Sequence, residues 1–205
     1  MDRQPRSWAI DRPLTSPFAL PSGIRGRLAG RFMLWTNTQD DLLAILDVRP
    51  GDRVLELGHG PGGLIRLLAG RTGARLVEGV DPSPEMGALA ARINRAAVRT
   101  GRVKLGLGTA DRTGLPERSV DHVISVNNVA LWPDLDAGLR ELHRVVRCGG
   151  SVVIAWHGGT SPTRIAKHLR LTEDKLRRIE TGMKDLFADV TQHQLKRLDV
   201  FKAIA

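Results

Sequence analysis

The sequence predicts a doubly wound α/β domain: a seven-stranded, mostly parallel sheet closed by a C-terminal antiparallel β-hairpin. Three observations carry that prediction. Short apolar runs alternate with stretches of helical periodicity, so successive strands need crossover connections and the sheet is covered on both faces. The first apolar run, Val54-Leu55-Glu56-Leu57, stops in a glycine-rich turn. The last two runs are separated only by Arg197-Leu198-Asp199, too few residues for a crossover and enough for a hairpin.

The elements follow in order. Residues 1–23 carry Pro5, Pro13, Pro17 and Pro21, which disfavour a helix and predict an irregular arm. From Ile24 to Leu46 apolar residues return at helical spacing (Leu28, Phe32, Trp35, then Leu42, Leu43, Leu46), as two helices broken near Thr36-Asn37-Thr38, with Thr38 capping the second. Residues 1–50 are thus expected as an arm with lid helices, and 51–205 as the sheet domain. Strands are expected at Val54–Leu57, Leu76–Val80, Val103–Leu107, Val120–Val126 and Ser151–Trp156, then Val190–Lys196 and Val200–Ile204 for the hairpin. Helices are expected at Leu64–Ala69, Pro84–Arg99, Leu135–Val146, Thr163–Leu169 and Glu173–Phe187, the last capped by Thr172.

The 205 residues, 41% hydrophobic and 26% charged, suffice for one ordinary core. A single cysteine, Cys148, excludes a disulfide framework and any multi-cysteine metal site, and no metal is expected. Apolar runs fall short of a membrane span, and MDRQPRSWAIDRP lacks the apolar core of a signal peptide, so a cytoplasmic protein without a membrane span is expected. The net charge of +9 is spread along the chain, +2 over residues 1–50, +3 over 51–157 and +4 over 158–205. That spread reads as a solvated basic surface and argues against a nucleic-acid partner. A homodimer is left open.

Function is concentrated at the ends of the first two strands. Gly58-His59-Gly60-Pro61-Gly62-Gly63 lets the backbone turn sharply and lets a ligand approach before a helix begins. Gly58, Gly60 and Gly63 satisfy G-x-G-x-x-G, a weak signal alone that gains from its place after the first strand of an α/β series. Asp81, 18 residues past Gly63, ends the second strand, where a carboxylate accepts both hydroxyl protons of a ribose. Its alternative is a helix cap in Asp81-Pro82-Ser83-Pro84, but Ser83 is better placed for that.

These blocks resemble class I S-adenosylmethionine-dependent methyltransferases, of the small-molecule type related to ubiquinone and menaquinone biosynthesis. VLELGHGPGG (Val54–Gly63) is similar to their motif I and GVDPSPEM (Gly79–Met86) to their second block. GTADRTGLP (Gly108–Pro116), SVDHVISVNNVALWPD (Ser119–Asp134) and LRELHRVVRCGG (Leu139–Gly150) resemble the later ones, with Cys148 where proline is usual. The resemblance implies a Rossmann-like methyltransferase fold, S-adenosyl-L-methionine as cofactor and a small-molecule methyl acceptor. It implies a cofactor site of Gly58, His59, Gly60, Gly62, Asp81, Pro82, Met86, Ala110, Asp111 and Asn127. Asp81 would take the ribose. Met86 and Pro82 would line the adenine slot, flanked by Ala110, with Asp111 on the amino group. The Gly58–Gly60 backbone would hold the methionine carboxylate, and the carbonyl of Gly58 or Asn127 the ammonium. Glu56 would orient the loop.

The acceptor side is less explicit. His157 follows the fifth strand and has the ordinary imidazole pKa for a base near neutrality, so it is the candidate catalytic residue. Trp132 is a pocket wall or a core contact. In the resembled family N-terminal extensions form lids, which would place Arg31, Trp35 and Asn37 over the site. Residues 161–187 are the second candidate for acceptor selection. Rival readings are a nicotinamide-dependent oxidoreductase, which the terminal hairpin and the Gly108–Pro116 block oppose, an RNA- or DNA-modifying methyltransferase, and a methyltransferase fold with non-methylating chemistry.

Overall fold

The computed structural model describes residues 7–10 and 41–205. Arg31, Trp35, Asn37 and Thr38 lie outside the described residues. The elements are α1 (Leu42–Leu46), β1 (Arg53–Leu57), α2 (Gly63–Arg71), β2 (Leu76–Asp81), α3 (Pro84–Ile93), α4 (Arg95–Arg99), β3 (Val103–Leu107), β4 (Val120–Val126), a 3-10 turn (Val129–Leu131), α5 (Leu135–Val145), β5 (Val146–His157), α6 (Arg164–Leu169), α7 (Glu173–Lys184), β6 (Ala188–Gln194) and β7 (Leu198–Ile204). The seven strands form one sheet in the order β3-β2-β1-β4-β5-β7-β6. β1 to β5 pair in parallel, while β7 runs antiparallel to both β5 and β6. The order reverses between β1 and β4, which opens a crevice at the carboxyl ends of the strands.

Alternation along the strands sends side chains to two cores. Leu55, Ile154 and Phe201 meet Leu139 and Leu142 of α5 and Ile179 and Met183 of α7 on one face. Val54, Val77, Ile124 and Val153 meet Leu64, Ile65 and Leu68 of α2 on the other, where Leu42 and Leu46 of α1 are also buried. A strand covered on both faces needs apolar residues at successive positions, which is why its runs are legible as strands without alternation.

Three of the boundaries that differ from expectation do so for a tertiary reason. The helix expected over Pro84–Arg99 breaks at Asn94, whose Nδ2 donates to Gly62 O (3.1 Å) and Ala90 O (2.9 Å) and ties the break to the glycine turn. β5 starts at Val146, not Ser151, because β4 pairs first with Val146 and then skips to Ser151. The skipped residues bulge, with Gly149 at φ +73° and bonded to Ala205 O. The hairpin turns earlier than expected, at Leu195-Lys196-Arg197, closed by the Leu195 amide on Leu198 O (2.9 Å). Asp199, expected in the turn, thereby enters β7.

Candidate active site

The glycine turn joins β1 to α2 with Gly58, Gly60 and Gly62 at φ +70°, +50° and +81°. Left-handed backbone costs a residue with a Cβ about 1–2 kcal/mol, so glycine belongs there. Space also excludes a side chain at two of the three. A Cβ on Gly58 would overlap the Asn128 amide, and one on Gly62 would lie 2.7 Å from Ala90 Cβ. The turn is therefore packed tightly from below by the end of β4 and by α3.

Asp81 ends β2 beside this turn and is 6% exposed. Its Oδ2 accepts the Gly60 amide (2.8 Å) and its Oδ1 the Ser83 amide (2.9 Å). A carboxylate has about four acceptor sites, so one lone pair on each oxygen remains open among the described residues. The cap role falls to Ser83, whose hydroxyl accepts the Met86 amide at the start of α3 (3.3 Å). The amides of Gly58 and Gly60 are engaged inside the protein, Gly58 on Val80 O and Gly60 on Asp81. That moves the expected carboxylate-donor role off these two amides.

Beneath the turn lies a buried polar layer. His59 is 3% exposed, and its Nδ1 lies 2.7 Å from Gly60 O, so it carries the proton and donates to that carbonyl. The ring is turned inward, over Gly79, where a Cβ would come within 2.9 Å of His59 Cδ2. This orientation favours support of the turn over the direct ligand contact expected for His59. Burial lowers the His59 pKa, against the opposing charge of Asp81. Burial, reinforced by the Asp81 charge, raises the Glu56 carboxyl well above its ordinary range, although the Ile65 amide of α2 bonds it. Glu56, bonded to the Ile65 amide in the first turn of α2, ties the end of β1 to that helix, and its raised pKa disfavours a second charge beside Asp81.

The side of the site beyond Asp81, where the sequence expectation places adenine, is built from β2, α3 and the loop after β3. Met86 is buried at 1% exposure, Pro82 is exposed, Ala110 is buried and Asp111 is exposed. Gly108 donates to Asp81 O, and the Thr109–Arg112 bridge folds the loop back on itself. Sequence reasoning missed what fixes this loop. Glu141 of α5 accepts both the amide (2.8 Å) and the hydroxyl (2.6 Å) of Thr113 on Oε1. Arg144 forks onto both oxygens of Glu141 and also reaches Leu115 O. Burial opposes ionisation of Glu141, but the Arg144 and Thr113 bonds outweigh it and hold the carboxyl below its ordinary range.

At the end of β4 the two asparagines divide the work. Asn127 has φ +56° and a buried Oδ1 without a protein partner among the described residues, and its amide bonds Ala155 O. Asn128 is the structural hub. Its Nδ2 donates to Leu57 O (2.5 Å), and its Oδ1 accepts from Ser125 Oγ (2.7 Å) and Trp132 Nε1 (2.7 Å). Trp132 is 4% exposed and stacks where a Cβ on Gly138 would stand, so it is a core contact as well as a support for Asn128. The segment Ser7–Ile10 lies on the same loop. The Trp8 amide donates to Trp132 O (3.1 Å), its Nε1 to Val129 O (2.7 Å), and Ser7 Oγ to Ala130 O.

His157 ends β5, opposite Leu198, with its ring 5.3 Å from that of Trp156. Burial pushes its pKa from 6.5 down to about 4. The imidazole is therefore neutral throughout the physiological range, and weaker as a base than its ordinary pKa suggests.

Comparison with known proteins bears on family and fold. The family described as "Methyltransferase domain" matches residues 54–150, from β1 into the start of β5. The chain is 34% identical over 120 residues to the uncharacterized methyltransferase YdaC of Bacillus subtilis (strain 168), covering 58% of this chain and 61% of that protein. It is 35% identical over 112 residues to the ubiquinone/menaquinone biosynthesis C-methyltransferase UbiE of Stenotrophomonas maltophilia (strain R551-3), covering 53% and 43%. The chain thus spans less than two thirds of the length of either relative. A SAM-dependent methyltransferase from Aquifex aeolicus superposes with a TM-score of 0.67 at 17% identity, over 87% of this chain and 95% of that one, a likeness of fold. Among the described residues no helix is long and apolar enough to cross a membrane. Residues 54–150 match the methyltransferase domain family, and the glycine turn with its acidic partner and the strand order are those of a Rossmann-like methyltransferase fold.

Proposed function

We propose that the protein transfers a methyl group from S-adenosyl-L-methionine to a small-molecule acceptor. The observation that carries this reading is Asp81, clamped by two backbone amides at the tip of β2 with one lone pair free on each oxygen, beside a turn that no side chain fills. Asp81 takes the ribose hydroxyls. Met86 and Ala110 form the apolar side of the adenine slot, Pro82 its outer edge, and Asp111 accepts from the adenine amino group. The unpartnered Asn127 Oδ1 and the Gly58 carbonyl serve the ammonium. The bound cofactor supplies an electrophilic methyl on a sulfonium that leaves as a neutral thioether.

The chain's own task is then alignment and exclusion of water. His157, neutral at pH 7, accepts a hydrogen bond from the O–H or N–H of the acceptor and orients its lone pair. The proton is lost to His157 or onward to water. A conjugate acid near pH 4 makes outright transfer costly, by about 4 kcal/mol relative to a base matched to pH 7. The segment Ser7–Ile10 rests on the loop after β4 through Trp8 and walls that side of the site.

Titration with S-adenosylhomocysteine tests the cofactor site. Asp81→Ala removes two charge-assisted hydrogen bonds, worth about 3 kcal/mol together, and should weaken binding roughly 100-fold while leaving the protein folded. Unchanged affinity rejects the ribose role. Mass spectrometry of cell extract incubated with the enzyme and isotope-labelled cofactor then identifies the acceptor. A labelled small molecule is expected. Label confined to RNA or DNA would transfer the protein to nucleic-acid modification.

A further inference from the structure

Beyond His157 the ligand end of the sheet holds a charged pair that the cofactor site does not use. Asp199 of β7 lies opposite Trp156 and is 1% exposed. Its Oδ1 accepts the Gly159 amide (3.0 Å), and its Oδ2 is buried and accepts no hydrogen bond. A Cβ on Gly158 would overlap this carboxylate, so a glycine there lets the strand end lie directly on it. Residues 158–161 are laced to the hairpin turn by Gly158 on Arg197 O, Thr160 on Leu195 O and Ser161 on Lys196 O. Trp156 Nε1 donates to Leu169 O (2.7 Å) and draws the end of α6 back over β5. This return brings Arg170 to Asp199, Nε to Oδ2 at 3.7 Å.

The contact is an ion pair, not a hydrogen bond: Nε stands 3.7 Å from Oδ2, so Asp199 attracts the guanidinium to this end of the sheet and its N–H donors remain for a second anion. The Arg170 side chain is 40% exposed, and its terminal nitrogens have no acceptor among the described residues. The pair joins a half-exposed guanidinium to a buried carboxylate, and such a pair adds little net stability. No carboxylate occurs between Glu141 and Glu173, nor between Asp189 and Asp199, whereas Arg164 and Lys167 on α6 and Lys196 in the hairpin turn add positive charge at this end. The same stretches, 158–172 and 190–198, contain no Phe, Trp or Tyr on which a base could stack, which favours a small anion over a single-stranded nucleic acid.

We propose that Arg170, ion-paired with the buried Asp199, binds an anionic group of the methyl acceptor, a carboxylate or a phosphate, and so fixes the acceptor with its reactive atom toward His157. This rests on the methyl-transfer reading above. Arg170 is the specificity-determining residue of that site, and Asp199 is a positioning residue.

The test uses the full chain loaded with S-adenosylhomocysteine and titrated separately with inorganic phosphate and with acetate at constant ionic strength, followed by the NMR shifts of the backbone amides of residues 158–161 and 195–199. Saturable shifts are expected with at least one of the two anions, and the tighter of them names the acceptor's group. Arg170→Ala should lower that affinity about tenfold or more, and Arg170→Lys, which keeps the charge and loses the fork, should fall between. Asp199→Asn should also weaken anion binding while cofactor affinity stays at the wild-type value. Arg92→Ala, on α3, should change nothing. Shifts that do not saturate with either anion, or that are equal in wild type and in Arg170→Ala, overturn the proposal. If the alanine variant does not fold, Arg170→Gln replaces it, with the same two outcomes deciding. A single-stranded RNA that shifts the same amides more tightly than either anion, with a steep salt slope, also overturns it in favour of a polyanion. Absence of S-adenosylhomocysteine binding to the wild type counts instead against the methyl-transfer reading, and the anion titration of the unloaded protein still decides the role of Arg170.

Discussion

Asp81 and His157 illustrate how a side chain's surroundings redirect its chemistry. Both are legible in the sequence because they stand at strand ends, where ligand-side residues of such sheets lie. Their partners are not legible. The amides of Gly60 and Ser83 decide how much acceptor capacity Asp81 retains, and burial moves His157 away from neutrality. His157→Ala should therefore lower kcat, by about tenfold for the loss of one hydrogen bond, with cofactor affinity unchanged. The kcat profile of the wild type should show no inflection at pH 6.5 from this group. An unaltered rate in the variant would leave His157 as a strand-end contact only. Asn127 and Asn128 make the same point. Adjacent and identical in type, they differ in role because only Asn128 lies beneath Gly58, a relation 70 residues apart in the chain.

At the scale of elements, what is local is readable and what is long-range is not. The cores of β1, β2, β4 and β5 are visible as apolar runs and the turn before α2 as its glycines, whereas β6 is polar and mostly exposed. The break between α3 and α4 is not visible, because Asn94 is held by a carbonyl 32 residues away. Nor is the hairpin register, set by the Leu195–Leu198 closure and by the burial of Asp199. The Glu141–Thr113 link is equally hidden, since it joins a helix to a loop that precedes it by 28 residues. The turn between β1 and α2 offers a direct test of how tightly these parts fit. Gly58→Ala meets both an unfavourable φ and the Asn128 amide, and the backbone component alone costs about 1–2 kcal/mol. Its urea midpoint should fall accordingly, and S-adenosylhomocysteine binding should weaken with it. Wild-type values for both would mean that the turn has room to relax.

For the molecule as a whole, the buried titratable groups set the pH dependence of stability. The folded pKa of His157, about 4, lies below its ordinary 6.5. Between those values the unfolded chain binds the extra proton, so this contribution is complete above pH 6.5 and is lost as the pH falls toward 4. Buried His59 acts in the same direction. Glu56 acts oppositely. Its raised pKa gives a contribution that is complete below its ordinary 4.5 and declines as the pH rises. Urea unfolding at pH 7 and pH 5 should show a loss of about 2 kcal/mol traceable to His157. His157→Gln should lose less over the same interval, and an equal loss in both proteins would contradict the assignment.

Asn128 joins the first strand, the fourth strand and the indole of Trp132 through a single amide group, and Trp132 in turn receives the segment that holds Trp8. A displacement at the end of the first strand is therefore met by Asn128 and passed through short hydrogen bonds to Trp132 and the backbone of Trp8. Under the proposed methyl transfer this linkage is expected to appear as ordered addition, cofactor first, and random addition in product-inhibition kinetics would show the two ends to be independent.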